Sequence, residues 1–328
     1  MFDFRFLNVG HGDCTIFDAE ETRLTMVDVN NSKSIPTQDQ VALAEAHGRN
    51  LISFSSERVL ETGYRTWADY YTSLLVDPAE YFRIHFPNRA VHRYIQTHPD
   101  MDHMTGLHRF FLEEQFALLN FWDTQNTKEM SEADFVSSPY DYRDWLTYSL
   151  LRLGAIPSER EHHKVFNLLQ GDTGRYWTDD QVEILAPTED LLDYCNSRGD
   201  SWNNSSYVIS VTYHGRRVVL AGDAEKPEWD KILATVPEDK LKCDVLKAAH
   251  HGRESGYSAE AMDAMRPSIV ICSVGKKPET DASDEYAAHG ARVLSTRYHG
   301  TIRVRLWMDG DVWVDDHAGN RLAALVPA

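Results

Sequence analysis

The densest concentration of chemistry in this chain is Thr97-His98-Pro99-Asp100-Met101-Asp102-His103. Four side chains able to bind a metal, His98, Asp100, Asp102 and His103, fall within six positions. Crowded carboxylates repel one another, and a carboxylate taken out of water is costly unless something positive compensates it. A divalent cation is the simplest compensation. Imidazole suits zinc, and carboxylate suits zinc or a harder ion such as manganese. The bland alternative is a surface loop with coincidental acids and histidines.

Four other segments can add to this cluster. Leu220-Ala221-Gly222-Asp223 is an apolar run ending in Gly-Asp. One aspartate at such an end can bridge two metals, although Gly-Asp by itself is ordinary turn chemistry. Lys247-Ala248-Ala249-His250-His251-Gly252 carries adjacent imidazoles, and His250 and His251 are both candidates for metal binding or proton transfer. Lys247 is a candidate phosphate contact, with plain solvation as its alternative. Gly10-His11-Gly12-Asp13 and Thr296-Arg297-Tyr298-His299-Gly300 read as turns that can hold a polar group over a bound substrate. His299 is thereby a further candidate proton donor, although a bare turn explains both segments.

The elements that must position these groups are short. A strand over 91–96 delivers the first cluster. Strands are expected at 2–9 and 14–18, joined by the 10–13 turn, and at 24–29, 182–185, 245–248, 268–273, 292–295, 302–306 and 312–314. Segments 207–213 and 217–220 read as a hairpin around His214-Gly215. Apolar spacing predicts helices over 105–119 and 142–153 and a mixed helical stretch over 38–83. Hairpins mixed with helices suggest sheets covered by helices in a single domain, 1–328.

The chain has 328 residues, 42% hydrophobic, enough for a large core. Its net charge of -18 argues against a basic DNA-coating protein, yet bound metal ions reverse the sign locally. Cys14, Cys195, Cys243 and Cys272 are scattered, which suggests neither a zinc knuckle nor a disulfide framework. No signal peptide and no apolar run of roughly 20 residues is visible, so the expectation is a cytoplasmic protein without a membrane span.

In order and content the motifs resemble the metallo-β-lactamase superfamily, and within it the hydrolase domain of ComEC-type DNA-uptake proteins. The resembling pieces are Leu7 to Asp13, His98 to His103 with Thr105-Gly106-Leu107, Asn203 to Val208, Leu220 to Asp223, Val245-Leu246-Lys247 with His250-His251-Gly252, and Thr296 to Gly300. The resemblance implies an αββα sandwich of two mixed sheets flanked by helices, with helical insertions at about 30–90 and 108–180. It implies two divalent ions, zinc foremost and manganese as the alternative. His98 and Asp100 would hold the first, Asp102 and His103 with His250 or His251 the second, and Asp223 would bridge them. Two departures stand out. Asp100 occupies a position where histidine is commoner, and the superfamily's separate histidine before Gly-Asp has no counterpart beyond Asn203 or Asn204 nearby.

The expected activity is hydrolysis of a phosphodiester, in a nucleotide or a nucleic acid, by a metal-activated water. Asp102 would orient that water, and His251, His299 or Lys247 would assist. The alternatives are a thioester, lactone or lactam substrate, or a metal-binding component of a multi-protein defence or DNA-processing system. For the last, the aromatic-rich segment with Trp122, Tyr140, Tyr142, Trp145, Tyr148 and Trp177 is a candidate protein-partner surface, with core packing as the alternative.

Overall fold

Phe2, Phe4 and Phe6 alternate with Asp3 and Arg5, so an extended backbone puts three rings on one face. Ile302, Val304 and Leu306 repeat the pattern, and both sets enter the same buried core. In the computed structural model, which describes residues 1–32, 34–46, 63–156, 162–275 and 279–327, such segments build fifteen strands among the described residues. They are β1 (Phe2–Phe6), β2 (Thr15–Ala19), β3 (Arg23–Val27), β4 (Val91–Ile95), β5 (Leu118–Trp122), β6 (Lys164–Phe166), β7 (Val182–Ala186), β8 (Val208–Tyr213), β9 (Arg216–Leu220), β10 (Val245–Lys247), β11 (Ile269–Cys272), β12 (Arg292–Ser295), β13 (Ile302–Leu306), β14 (Val312–Asp315) and β15 (Arg321–Leu325). One sheet runs β15-β14-β13-β1-β2-β3-β4-β5-β6, the other β12-β11-β10-β9-β8-β7.

The two sheets pack face to face. Phe4, Phe17, Ile95 and Trp122 of the first meet Ile209, Leu220, Val245 and Ile271 of the second. Helices Pro78–His85 and Tyr142–Arg152 cover the first sheet's outer face through Phe82, Trp145, Tyr148 and Leu151. Helices Lys226–Thr235, Ala259–Met265 and Ser283–Ala288 cover the second through Trp229, Ile232, Met262 and Tyr286. This is the expected αββα sandwich. Polar caps set the helix starts: Asp77 accepts from the Ala79 and Glu80 amides ahead of Pro78, and Asp141 from the Arg143 amide.

Parallel pairing decides where function can sit. β3, β4 and β5 run parallel in the first sheet, and β9, β10, β11 and β12 in the second. Their carboxyl ends therefore open toward one edge, the usual place for a site in such sheets.

Several expectations are corrected. The 105–119 helix is not formed as such. Arg109–Glu113 makes a π-type turn, and Leu118–Trp122 is β5, parallel to β4. Phe121 packs on one face of β5 and Trp122 on the other, so burial on both sides hides the strand alternation in sequence. β6 and β15 were likewise not anticipated. The 108–180 segment is thus partly sheet. In the 38–83 stretch the described residues form helices Thr37–Ala46, Trp67–Ser73 and Pro78–His85, and 47–62 lie outside the described residues. Trp122, Trp145, Tyr148 and Trp177 are buried, so most of the aromatic segment is core and the expected partner surface loses its basis. All four cysteines are buried and unpaired. Among the described residues no helix is long and apolar enough to cross a membrane.

Candidate metal centre

Three strand ends deliver the cluster. Beyond β4 the chain runs through Gln96 and Thr97 to His98, then makes a short 3₁₀ turn at Met101–His103. β9 ends at Ala221-Gly222-Asp223, where Gly222 has a positive φ and an added Cβ would meet Ser206 and Thr97 at 3.0 and 3.1 Å. β10 leads to His250 and His251, both left-handed at φ 47° and 61°. Such backbone costs of order 1–3 kcal/mol per residue and persists only where surroundings over-determine it. Here the His250 amide donates to the Gly222 carbonyl at 3.1 Å, tying the β9 and β10 loops together. The Asp13 amide donates to Asp102 O at 3.3 Å and the Val29 amide to His103 O at 2.9 Å, tying in the β1 and β3 loops.

Asp223 is the hub. Its Oδ1 lies 3.2 Å from His103 Nε2, and its Oδ2 lies 3.5 Å from His251 Nε2, 3.7 Å from His250 Nε2 and 3.8 Å from His98 Nε2. His251 Nε2 is also 3.3 Å from Asp102 Oδ2, and His98 Nε2 is 3.7 Å from Asp100 Oδ2. Donor atoms about 2.0–2.1 Å from a tetrahedral ion stand roughly 3.3 Å apart, so these spacings fit two cations, one on each side of Asp223. The Nε2 atoms of His98, His103 and His251 and Oδ1 of Asp223 are buried without a hydrogen-bond partner among the described residues. Buried polar atoms are rarely left so, and this donor set matches what a divalent ion takes.

Partners behind the imidazoles set their tautomers. Thr97 Oγ1 donates to Asp28 Oδ2 at 2.7 Å, so it accepts from His98 Nδ1 at 3.0 Å and leaves the Nε2 lone pair facing the cluster. His103 Nδ1 sits 2.8 Å from the same Asp28 carboxylate. Asp13 Oδ2 lies 3.6 Å from His251 Nδ1 and is paired with the Lys247 ammonium. Gln96 Nε2 donates to the carbonyls of His98 and His103 at 2.9 and 3.1 Å. Asp28, Gln96 and Thr97 were not singled out as site residues in the sequence, where Asp28 shows only as a carboxylate within the 24–29 apolar run, and Asp13 was read only as part of the 10–13 turn.

The electrostatics ask for positive charge. Burial works to lower the His251 pKa, but Asp223 and then Asp13 outweigh it and push it up to about 9. The same contest, against Asp223 and Asp28, holds His103 well above its ordinary value. Burial would raise the Asp223 carboxyl, yet His103 and His251 hold it well below the usual range. His98 behaves oppositely: burial first, then His103, lowers its pKa.

Of the other candidate residues, Lys247 is buried against Asp13 behind His251 and does not face the opening. His299 lies in the short helix Thr296–His299, and its carbonyl accepts from His317 Nδ1 at 2.9 Å. The Asn203–Ser205 turn brings Asn204 to Glu225 at 3.3 Å, not to the cluster, whereas His250 Nδ1 meets Ser255 Oγ at 2.8 Å and Glu225 Oε1 at 3.3 Å.

Two mixed sheets face to face, helices outside, and a histidine–aspartate cluster at the edge where parallel strands end define a metallo-β-lactamase-fold protein. The chain is 34% identical over 110 residues to ComE operon protein 3 of Bacillus subtilis, a match covering 32% of this chain and 14% of that protein. It is 24% identical over 139 residues to competence protein ComA of Neisseria gonorrhoeae, covering 41% and 19%. The chain thus matches less than a fifth of the length of either relative. No family model matches it. Among solved structures it is similar to CmlA, a diiron β-hydroxylase from Streptomyces venezuelae (TM-score 0.47, 13% identity, 93% of this chain and 54% of that one). It is also similar to Igni18, a metallo hydrolase from Ignicoccus hospitalis (TM-score 0.45, 11% identity, 93% and 100%), and to the metallo-β-lactamase-fold protein YhfI from Bacillus subtilis (TM-score 0.40, 11% identity, 96% and 100%).

Proposed function

We infer that this chain is a dinuclear metal hydrolase of phosphodiesters. Asp102, His103 and His251 hold one divalent ion, zinc or manganese. His98, Asp100 and His250 hold the other, and Asp223 bridges them. The observation that carries this reading is the ring of buried, unpartnered Nε2 atoms around Asp223. His250, with Nε2 3.7 Å from Asp223 Oδ2, takes the role that the missing histidine before Gly-Asp leaves open.

Bound there, such ions would neutralise charge on a phosphate and lower the pKa of a coordinated water from ~15.7 to near neutrality. The protein's own part is orientation. Asp28 and Thr97 fix the ring tautomers of His103 and His98, as outer partners of metal-binding histidines do. Asp13 and Lys247 brace His251, which makes Lys247 a positioning residue and not a phosphate contact. Asp102, its side chain partly exposed beside His251, both binds metal and orients water. Three aspartates among seven donors favour harder metals and oxygen-rich substrates over thioesters and lactones. The reading is that of one domain, 1–328, acting on a nucleotide or nucleic-acid diester.

The test is turnover of bis(4-nitrophenyl) phosphate and single-stranded DNA, beside a thioester and a lactone, by protein reconstituted with zinc or manganese. Diester cleavage that Asp223→Ala abolishes is expected. Cleavage of the thioester or lactone alone, or no turnover by metal-loaded protein, would sink the reading.

A further inference from the structure

A cavity of about 650 Å³ opens beside the cluster, lined among others by His11, Ser34, Ile35, Gln38, Arg253 and Glu279. His11 is its partition from the metal centre. Donor atoms of His11, Asp102 and His251 lie within 4.8 Å of one another, and the His11 and His251 ring centroids are 5.1 Å apart. Arg253 Nη2 lies 3.0 Å from His11 Nε2. A guanidinium can only donate, so Nε2 is the acceptor and the imidazole proton sits on Nδ1. That Nδ1 is buried and has no partner among the described residues, and neither has Arg253 Nε. Two unsatisfied N–H donors, one of them on a cation, at the wall between a cavity and a metal cluster are the complement of an anion.

The backbone holds this wall in place. Arg253 follows the His250-His251-Gly252 turn, its amide donates to His250 O at 3.1 Å, and it bridges to Asp281. Gly275 lies so close to Gly10 that an added Cβ would stand 2.7 Å from its Cα. The remaining lining mixes three hydroxyls, the Gln38 amide and the carboxylates Asp39 and Glu279 with the apolar Ile35 and Pro36, which suits a flat ring carrying polar edges. The volume is that of a site enclosing one small ligand, within the roughly 300–1,000 Å³ such sites span.

We propose that this cavity seats the nucleoside of a small phosphodiester while Arg253 and His11 Nδ1–H hold a phosphate oxygen, so that the substrate is nucleotide-sized and not a long strand. The proposal rests on the phosphodiesterase reading above. The net charge of -18 points the same way, because it repels a polyanion at long range while a single phosphate needs only the local pair.

The metal-loaded chain is titrated calorimetrically with thymidine 5′-monophosphate, inorganic phosphate and a single-stranded oligonucleotide. Hydrolysis of thymidine 5′-(4-nitrophenyl phosphate) and of bis(4-nitrophenyl) phosphate is followed in parallel. The mononucleotide binds about tenfold or more tighter than phosphate, and Arg253→Ala weakens it by roughly 10- to 100-fold, the scale of a charged hydrogen bond. Ser34→Trp, which fills the cavity from an exposed position, removes the nucleotide's advantage and leaves phosphate binding in place. Both variants act on KM of the nucleoside ester more than on kcat and keep the wild-type metal content. A mononucleotide that binds no better than phosphate, an oligonucleotide that binds more tightly than the mononucleotide, or a Ser34→Trp variant without effect overturns the proposal. If the binding pattern holds but neither ester is cleaved, the cavity stands and the phosphodiesterase reading falls. If the esters are cleaved without any nucleotide preference, the reverse follows.

Discussion

The two sides of Asp223 are built differently. On one, His103 and His251 are buried, and each is backed by a carboxylate, Asp28 and Asp13, the latter neutralised by buried Lys247. On the other, Asp100 has its side chain 35% exposed and one oxygen held 2.5 Å from Lys128 Nζ, and His250 is backed by Ser255 and the partly exposed Glu225. Preorganised donors lose less on binding a cation than donors that must give up another partner. The braced side should therefore hold metal tightly and the open side weakly.

That contrast can be broken at graded cost. Asp223→Ala removes the group common to both sides. Metal affinity on each side should fall by more than the roughly 10–100-fold typical of losing an outer partner, and diester turnover should drop to background, read by metal analysis and by rate.

Lys247→Met tests the brace. Burial pushes the Asp13 carboxyl up, but Lys247 and then His251 outweigh it and hold it well below its ordinary 3.8. In wild type the pair's stabilisation is complete above that pH and is lost as pH falls through the lowered value. Without the lysine the buried Asp13 carboxylate loses its closest cation and keeps His251 at 3.6 Å, and breaking a buried pair in this way costs about 3–5 kcal/mol. Denaturant unfolding of metal-free protein should show that deficit near neutral pH. The deficit should shrink on acidification, because a proton then takes the place of the ammonium. An equal deficit at about pH 7.5 and about pH 4.5 would contradict the brace.

Asp28→Asn leaves the fold but weakens the partner of His103 Nδ1 and Thr97. It should cost roughly 10–100-fold in metal affinity on the braced side. Lys128→Ala is the smallest change and has the opposite sign. A partly exposed ion pair is worth about 0–1 kcal/mol, so freeing Asp100 should tighten the open side by no more than about fivefold, seen as a change in the weaker binding step only.

Which parts of this were legible in sequence follows from distance along the chain. His98, Asp100, Asp102 and His103 sit in one loop, and Asp223 and the 250–251 pair each follow an apolar strand, so their types and places could be read directly. The pairing of Asp28 with His103 could not be, because it arises only when β3 and β4 lie side by side in parallel. The division of labour between His250 and His251 depends on two consecutive left-handed residues, which nothing in the local sequence requires. Lys247 read as a phosphate contact because its type suits one, but its strand points it into the interior toward Asp13. Among the elements, the β8–β9 hairpin announced itself through alternation and a His-Gly turn. β5 stayed hidden because Phe121 and Trp122 are buried on opposite faces.

Stepwise binding of zinc to the metal-free chain, followed by calorimetry with wild type, His250→Ala and Asp223→Ala, bears most directly on this account. Wild type should take two equivalents, one tight and one weak. His250→Ala should lose only the weak step, and Asp223→Ala should bind at most one equivalent, weakly. A wild type that takes up a single equivalent or none, or an Asp223→Ala variant that keeps both steps, would contradict a two-metal centre built around Asp223.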